Sequence, residues 1–436
     1  MESGATGWSP ISRVNHPERV GERVRVRGWI HRTRSSGGIA FLLVKDATGA
    51  IQVTARRNVL GDEAFLQAEK ALVESSLEVE GEVARDPRAP GGQEIRADRV
   101  RIVQSSEVFP IFAGQTEEFL LDHRHLAIRS TEMGATWKVK AEVLRAAREY
   151  LDGHGYFEMT PPILTGNAAE GGAEAFSLDY FGRPAYLGQT AQLYLEALIF
   201  PLERVYSLTP SFRAEKSRTN RHLTEYTHLE AELAWAGLEE NLRLQEELVV
   251  HILHRVARER SEELRLLGRN PAELERIRTP FERMRYEEAL RELSARGFSL
   301  TFGQDLGTAE ERALTQTRQA PLFVTHYPRE IKAFYMLESP DDPRTVECAD
   351  LLAPEGYGEL IGGSARETNL ESLRRRLLDS GADPESYRWY LDLRRYGSVP
   401  HAGFGLGVER LVRWIARREH IRDTTPFPRT PSRVTP

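Results

Sequence analysis

The sequence predicts an α+β fold, a small N-terminal β-barrel followed by a larger domain in which antiparallel strands are flanked by helices. Three observations carry that prediction. Five short strand-like runs, separated by turn signals, fall between residues 23 and 103. Residues 205–235 read as a strand, a long basic loop and a returning strand, which is a hairpin. Immediately afterwards, over 238–267, Leu242, Leu244, Leu248, Ile252 and Val256 are spaced to bury one face of a helix.

In the N-terminal part the strand-like runs are 24–30, 40–45, 50–55, 77–83 and 94–103. They are broken by Ser35-Ser36-Gly37-Gly38, by 46–49 and by the proline-containing stretch 86–92, and one helix, 63–73, falls between the third and fourth runs. Five strands with a helix in that place is the layout of an OB-fold barrel, whose open face commonly binds single-stranded nucleic acid. An SH3-like barrel shares the pattern. Residues 105–130 show no sustained period and read as a hinge, so the expected organisation is a barrel over 1–104, the hinge, and the larger domain over 131–436. In that domain 137–155 is helical, YFEMTPPIL is a strand broken by Pro161 and Pro162, 286–296 is a helix, and PLFVTHYP and IKAFYML are strands.

Composition narrows the class. A chain of 436 residues has room for two or three domains, and 40% hydrophobic with 28% charged residues is ordinary globular usage. There is no apolar run of membrane-spanning length, and the N-terminus MESGATGWSP lacks the basic and apolar segments of a signal peptide, so a cytoplasmic protein with no membrane partner is expected. A single cysteine, Cys348, excludes an intramolecular disulfide and a multi-cysteine zinc cluster. The formal charge of −6 argues against wholesale nucleic-acid affinity, yet a large RNA docks on local basic patches of an acidic protein.

The hairpin carries the chemistry. On its return, Leu229, Ala231, Leu233 and Trp235 fall on one face and Tyr226, His228, Glu230 and Glu232 on the other. On the outgoing strand Arg213 and Glu215 share a face. A guanidinium that grips phosphate in a planar fork, a ring for a purine and a carboxylate for an ammonium suit a nucleoside triphosphate and an amino acid held side by side. The loop residues Lys216, Arg218, Arg221 and His222 would bring positive charge to the outer phosphates. A solvated surface hairpin is the competing reading for any Arg/Glu-rich stretch.

The phrase FRAEKSRTNRHLTEY resembles motif 2 of the class II aminoacyl-tRNA synthetases, in the asparaginyl/aspartyl/lysyl subgroup. The resemblance implies a catalytic domain built on an antiparallel sheet flanked by helices, with Arg213 on the α-phosphate and the attacked carboxylate, Glu215 on the adenine edge, and Tyr226, where the family more often has Phe, stacked on adenine. Residues 137–155 with YFEMTPPIL resemble motif 1, Pro162 taking the place of its proline, which implies a homodimer. NAAEGGAEAF resembles the loop that closes over the amino acid, with Glu170 on its ammonium, and AYLGQTAQLYLEALIF supplies Gln189 and Gln192 to the same pocket. In VECADLLAPEGYGELIGGSAR the resemblance assigns Glu359 to the magnesium that bridges the ATP phosphates, Asp350 nearby, and Arg366 to the side-chain carbonyl of the amino acid. HAGFGLGVERLVRWIARREHIRDTTPFPR resembles motif 3, in which Gly403, Gly405 and Gly407 let a helix pack under the ATP site and Arg410 lies over adenine and reaches the γ-phosphate. There is no Walker A sequence, and G-x-G-x-G without its strand and helix context is no dinucleotide loop. Within the barrel, RGWIHRTRSSGGIAFLLVKDATGAIQV resembles the subgroup's anticodon-binding domain. There Phe41 would stack on the central uridine, Gln52 would hydrogen-bond it, and Arg27 or Arg34 would lie near the phosphates.

The amino acid is suggested by two phrases. Aspartate members read QSPQLYKQ, whose lysine pairs with the substrate carboxylate, where this chain reads QTAQLYLE with Leu195. LLAPEGYGELIGGSARE resembles the asparagine members. The implied activity is ATP-dependent activation of L-asparagine to the adenylate and transfer to tRNA(Asn), with Mg2+ as cofactor, through positioning and charge stabilisation. Glu230, with Glu225 as alternative, is the expected acceptor for the side-chain amide. An aspartyl enzyme, including one that also charges the asparagine tRNA, is the alternative; an adenylating paralogue making a free metabolite and a non-catalytic RNA-binding protein are more distant ones.

Overall fold

Val and Ile alternating with charged residues, as in RVRVRGWI, give a strand with one dry face, and β1 (Arg23–Ser36) buries Val24, Val26 and Ile30 in this way. With β2 (Ile39–Lys45), β3 (Ala50–Arg56), β4 (Ser76–Arg85) and β5 (Gln93–Gln104) it closes a barrel in the order β1-β2-β3-β5-β4, in which β3 and β5 run parallel. Leu42, Val44, Ile51, Val53 and Ile95 fill it, and the helix Asp62–Lys70 adds Phe65 and Ala68. Two glycines allow the walls to cross closely, since a Cβ at Gly28 would lie 2.2 Å from the Lys45 carbonyl oxygen and one at Gly81 2.3 Å from that of Arg96. β1 runs six residues past its predicted end, so only Gly37 and Gly38, both at positive φ, make the turn. Residues 32–36 pair with β2 as a ribbon without a buried face, and such a ribbon has no alternation to read.

This computed structural model describes residues 7–166, 175–216 and 219–436; Glu170 and Arg218 lie outside the described residues. The chain divides into two compact units, Met1–Leu121, which holds the barrel, and Asp122–Pro436. The stretch read as a hinge contains two short helices, Glu117–Asp122 and Arg124–Ala127.

The second unit is organised by an eight-stranded sheet in the order β12-β13-β14-β15-β16-β11-β10-β6. Its strands are β6 (Phe157–Glu158), β10 (Arg204–Phe212), β11 (Glu225–Ala234), β12 (Glu282–Arg285), β13 (Leu322–Thr325), β14 (Cys348–Ala353), β15 (Gly358–Ala365) and β16 (His401–Gly407). Pairing is antiparallel except at the two edges, β6 with β10 and β12 with β13. Helices Thr131–Gly153, Leu238–Glu259 and Val408–Ile415 cover one face, where Leu229, Ala231, Phe404, Leu406 and Trp414 share a core with Leu242, Leu248, Ile252 and Val256. The first of these helices starts earlier than predicted because Ser130 caps it, its Oγ accepting from the Met133 amide at 3.2 Å.

YFEMTPPIL breaks at Pro161 and Pro162 as read, and its two halves enter different sheets: Phe157–Glu158 joins the main sheet while β7 (Leu164–Thr165) pairs in a small sheet with β8 (Ser177–Tyr180) and β9 (Arg183–Leu187). Two expectations need correction. The predicted 238–267 helix is two, breaking at Arg260 before Ser261–Leu266. IKAFYML is irregular after a short turn at Arg329–Ile331; Phe334 and Tyr335 are buried against Leu373, Leu377 and Tyr390, so its apolar character comes from packing on helices. Among the described residues no helix is long and apolar enough to cross a membrane.

Candidate active site

β10 and β11 pair continuously from Arg204–Leu233 to Phe212–Glu225, and the open face of β11 presents Tyr226, His228 and Glu230 to a cavity of about 730 Å³. Trp235 leaves the predicted apolar set, because the strand has ended and the chain turns there at φ 59°, leaving the ring 68% exposed. The cavity floor is made of glycine, with Gly362 on β15 and Gly405 and Gly407 on β16. A Cβ at Gly405 would lie 2.4 Å from His228 Nε2, and one at Gly403 2.1 Å from Glu232 Oε1. These two glycines make room for side chains of β11, not for the helix expected beneath them. The close helix contact belongs to Gly363, where a Cβ would sit 2.8 Å from Gln245 Nε2.

At the Tyr226 end the site is cationic. Arg213 lies just past β10 rather than on it; its amide donates to the Thr224 carbonyl at 3.0 Å, and its guanidinium lies 5.8 Å from the Tyr226 ring and 3.7 Å from the Glu215 carboxylate. The mouth of the hairpin, not strand alternation, brings them together. Arg221 pairs with buried Glu311, which also accepts the Glu359 amide at 2.8 Å. His222, expected to bring charge, is pushed down to about 4 by burial and by Arg410, Arg221 and Arg213, and is neutral at pH 7.

Asp350 and Glu359, nine positions apart, are brought together by the β14–β15 pairing. A Cβ at Gly362 would lie 3.3 Å from Glu359 Oε1 and 3.6 Å from Asp350 Oδ1, so one carboxylate oxygen of each faces the same spot. Their other oxygens accept from cations, Asp350 Oδ2 from Lys332 Nζ at 2.7 Å and Glu359 Oε2 from Arg410 Nη1 at 2.8 Å. Burial opposes ionisation of Glu359, but Arg410 and then Lys332 outweigh it and hold the carboxyl at about 2. Burial pushes Asp350 up against the pull of Lys332. Among the described residues no group of three or more His, Cys, Asp or Glu is placed to hold a metal. Two convergent carboxylate oxygens do fit a hard divalent ion that completes its shell with water and phosphate oxygens.

At the far end of β11 the site becomes a buried ionic network. Arg366 lines the cavity and clasps Glu232 with Nε, at 3.2 Å, and Nη2; its Nη1 donates to Ser364 Oγ at 2.8 Å, and the Tyr335 ring lies 5.2 Å away. Glu196 takes Arg394 Nη2 at 2.6 Å, Tyr390 Oη at 2.8 Å and His401 Nε2 at 3.0 Å. It also accepts Gln192 Nε2 at 2.9 Å. Burial works against the Glu196 charge, yet Arg394 and His401 hold it well below the usual carboxylate range. Glu230 lines the cavity, but accepts from Thr190 Oγ1 and, at 2.8 Å, from the Ala191 amide at the start of helix Gln192–Leu202. Gln189 is buried ahead of that helix, and Glu225 is exposed opposite Phe212. Leu195 does not line the cavity; it is fully buried with Ala191, Ile199 and Val205.

On the barrel, Phe41 is half-buried on the outer surface between buried Ala40 and Leu42, with the Arg34 guanidinium 4.5 Å over its ring. The pairs Phe41–Thr54 and Leu43–Gln52 place Phe41 and Gln52 on that same surface. Gln52 Nε2 donates to Glu94 at 3.1 Å. Arg27 lies instead by Trp8, 6.0 Å from its ring.

The model of the family described as tRNA synthetases class II (D, K and N) matches residues 116–431. The chain belongs to that family. The synthetase's barrel, over residues 24–103, matches the OB-fold nucleic acid binding domain. An asparagine–tRNA ligase of Thermococcus gammatolerans is 50% identical over 420 residues, 96% of this chain and 97% of its own. The crystal structure of asparaginyl-tRNA synthetase from Pyrococcus horikoshii complexed with asparaginyl-adenylate superposes with TM-score 0.94 at 49% identity, covering 97% of this chain and 98% of that one. The Entamoeba histolytica asparaginyl-tRNA synthetase with asparaginyl-adenylate gives 0.88 at 31% identity, over 95% and 97%.

Sequence reasoning about this synthetase missed Glu196, Lys332 and Glu311. Each earns its place through a partner or a burial that the local string does not display, although Glu196 stands next to Leu195 in the phrase that was read for specificity.

Proposed function

We propose that this synthetase activates L-asparagine with ATP and transfers it to tRNA(Asn). One arrangement carries the reading. A single strand, β11, presents in order an aromatic ring beside Arg213, then His228 and Glu230, and finally Glu232 beneath Arg366, which is a nucleotide place and an amino-acid place along roughly 20 Å. ATP would lie with adenine against Tyr226 and Glu215, its α-phosphate on Arg213 and its outer phosphates toward Arg410, Arg221 and neutral His222. The asparagine carboxylate attacks the α-phosphorus in line and pyrophosphate leaves. Arg213 stabilises the charge that develops, and a terminal ribose hydroxyl of the tRNA then takes the acyl group from AMP. Asp350 and Glu359 would hold Mg2+, which supplies charge compensation on the phosphates when bound. Gln192, whose amide nitrogen is held by Glu196, and Gln189 would meet the substrate ammonium, with Arg366 on the side-chain carbonyl.

On the barrel, the Gln52 amide nitrogen is committed to Glu94, so its oxygen is left to accept from the N3–H of a uracil stacked on Phe41. We take the working enzyme to be a cytoplasmic homodimer, with the 105–130 segment joining an anticodon-binding domain to the catalytic domain. Incubating the protein with ATP, Mg2+, labelled asparagine and a tRNA(Asn) transcript should yield asparaginyl-tRNA. Efficient charging of a tRNA(Asp) transcript with aspartate instead would overturn the reading.

A further inference from the structure

Arg221 lies between the cavity and a carboxylate behind it. It reaches the cavity wall from the loop of the hairpin, while Glu311, to which its Nη1 donates, belongs to the helix Thr308–Thr315 and does not line the cavity. The pair is nearly dry, with the arginine side chain 10% and the glutamate 7% exposed. Glu311 is held in turn from the sheet. Its Oε2, the oxygen that takes Arg221, also accepts the Glu359 amide at 2.8 Å, at the start of β15. Gly358, one residue earlier and at φ 84°, leaves room for the pair, since a Cβ there would lie 2.7 Å from both Arg221 Nη1 and Glu311 Oε2.

Among the described residues the bond to Glu311 is the only one the Arg221 side chain makes, and its Nε is buried without a partner. A buried N–H left unpaired is costly. Nε and Nη2 form the side edge of the guanidinium fork, the edge that takes two phosphate oxygens at once, and Glu311 holds the opposite corner. The loop backbone is fastened one residue earlier, where the Asn220 carbonyl accepts the Ile421 amide at 2.9 Å. Asp305 and Glu359 line the cavity and also attract the Arg221 charge. Without Glu311 the guanidinium is free to turn to them, and a carboxylate there would occupy the edge that phosphate needs.

We infer that Glu311 is a positioning residue for ATP: by fixing one corner of Arg221 from outside the cavity, it keeps the Nε–Nη2 edge open toward the outer phosphates, the part of ATP that leaves as pyrophosphate. The inference rests on the proposed function and deepens it, adding a residue that touches no substrate and acts through Arg221. Its mark is selectivity. ATP carries the outer phosphates and the adenylate does not, so Glu311 should matter to the first ligand and not to the second.

The test is calorimetric binding of ATP, with Mg2+ and without amino acid, and of the sulfamoyl analogue of asparaginyl-adenylate. The proteins are the parent, Glu311→Ala, Arg221→Ala and the double variant, with melting curves to confirm folding. Glu311→Ala should weaken ATP about tenfold or more and leave the analogue within about twofold of the parent. Arg221→Ala should do the same, and adding Glu311→Ala to it should cost nothing further. ATP binding that is unchanged or tighter in Glu311→Ala would overturn the inference, because the carboxylate would then only damp the positive charge. Equal weakening of ATP and the analogue, or additive losses in the double variant, would overturn it as well. If Glu311→Ala does not fold, Gly358→Ala decides: its methyl group wedges against Arg221 and Glu311 with both retained, and it should weaken ATP alone. ATP affinity equal to the parent's in that variant would contradict the inference. A parent that binds neither ligand contradicts the proposed function itself, whereas a parent that binds both, with ATP unmoved by Glu311→Ala, contradicts this inference alone.

Discussion

Arg410 and Glu359 meet at 2.8 Å across a glycine-floored cavity, from positions 51 residues apart, and the guanidinium is the main reason the half-buried carboxyl stays ionised. Glu359 can thus be an acceptor at any pH near neutrality. Replacing Arg410 by Ala removes the cation that holds Glu359 down, so the acid limb of the pyrophosphate-exchange profile should move to higher pH. The rate at the optimum should fall by roughly 10²–10³ through the lost contact with the phosphates. An unmoved acid limb would separate the two residues functionally.

Arg213→Ala should reduce adenylate formation by the roughly 2.7–4 kcal/mol typical of a donor aimed at developing charge, while the melting temperature and tRNA affinity stay near those of the parent. Stopped-flow measurement of adenylate formation, together with a filter-binding assay for tRNA, checks both halves.

Phe41→Ala should weaken charging of tRNA by roughly 1–3 kcal/mol and leave tRNA-independent pyrophosphate exchange intact, since the ring sits on the outside of the barrel. A fall in both activities would make Phe41 a packing residue.

Glu196→Ala strips a fully buried carboxylate from Arg394, so about 3–5 kcal/mol of stability should go, read as a lowered denaturation midpoint. The sign with pH follows from its depressed carboxyl. The stabilisation is complete above the ordinary carboxylate range near 4.5 and is lost as pH falls through the lower folded value. The variant should therefore lose the parent's steep destabilisation in strong acid.

The barrel and the hairpin could be read from the string because β1 and β11 alternate apolar with polar or charged residues, and Val24, Val26, Leu229 and Ala231 announce it at a spacing of two. Where that asymmetry is missing, so is the signal. The ribbon of residues 32–36 is exposed on both faces, and the 331–337 segment is apolar without being a strand. Motif resemblance found Arg213, Asp350, Glu359, Arg366 and Arg410, all of which line one cavity. It misplaced the reason for the glycines, because a Cβ clash with Glu232 or His228 depends on a neighbouring strand; Leu195, where the aspartate members carry a lysine, packs in an apolar cluster. The charge state of His222 and the Glu196–Arg394 and Glu232–Arg366 pairs, 198 and 134 residues apart in the chain, arise only from tertiary burial.

The most direct test of the central claim is pyrophosphate exchange by the purified protein with asparagine and, separately, with aspartate at equal concentration. Strong exchange with asparagine and near-background exchange with aspartate is the predicted result. Aspartate-dependent exchange matching that of asparagine would contradict it.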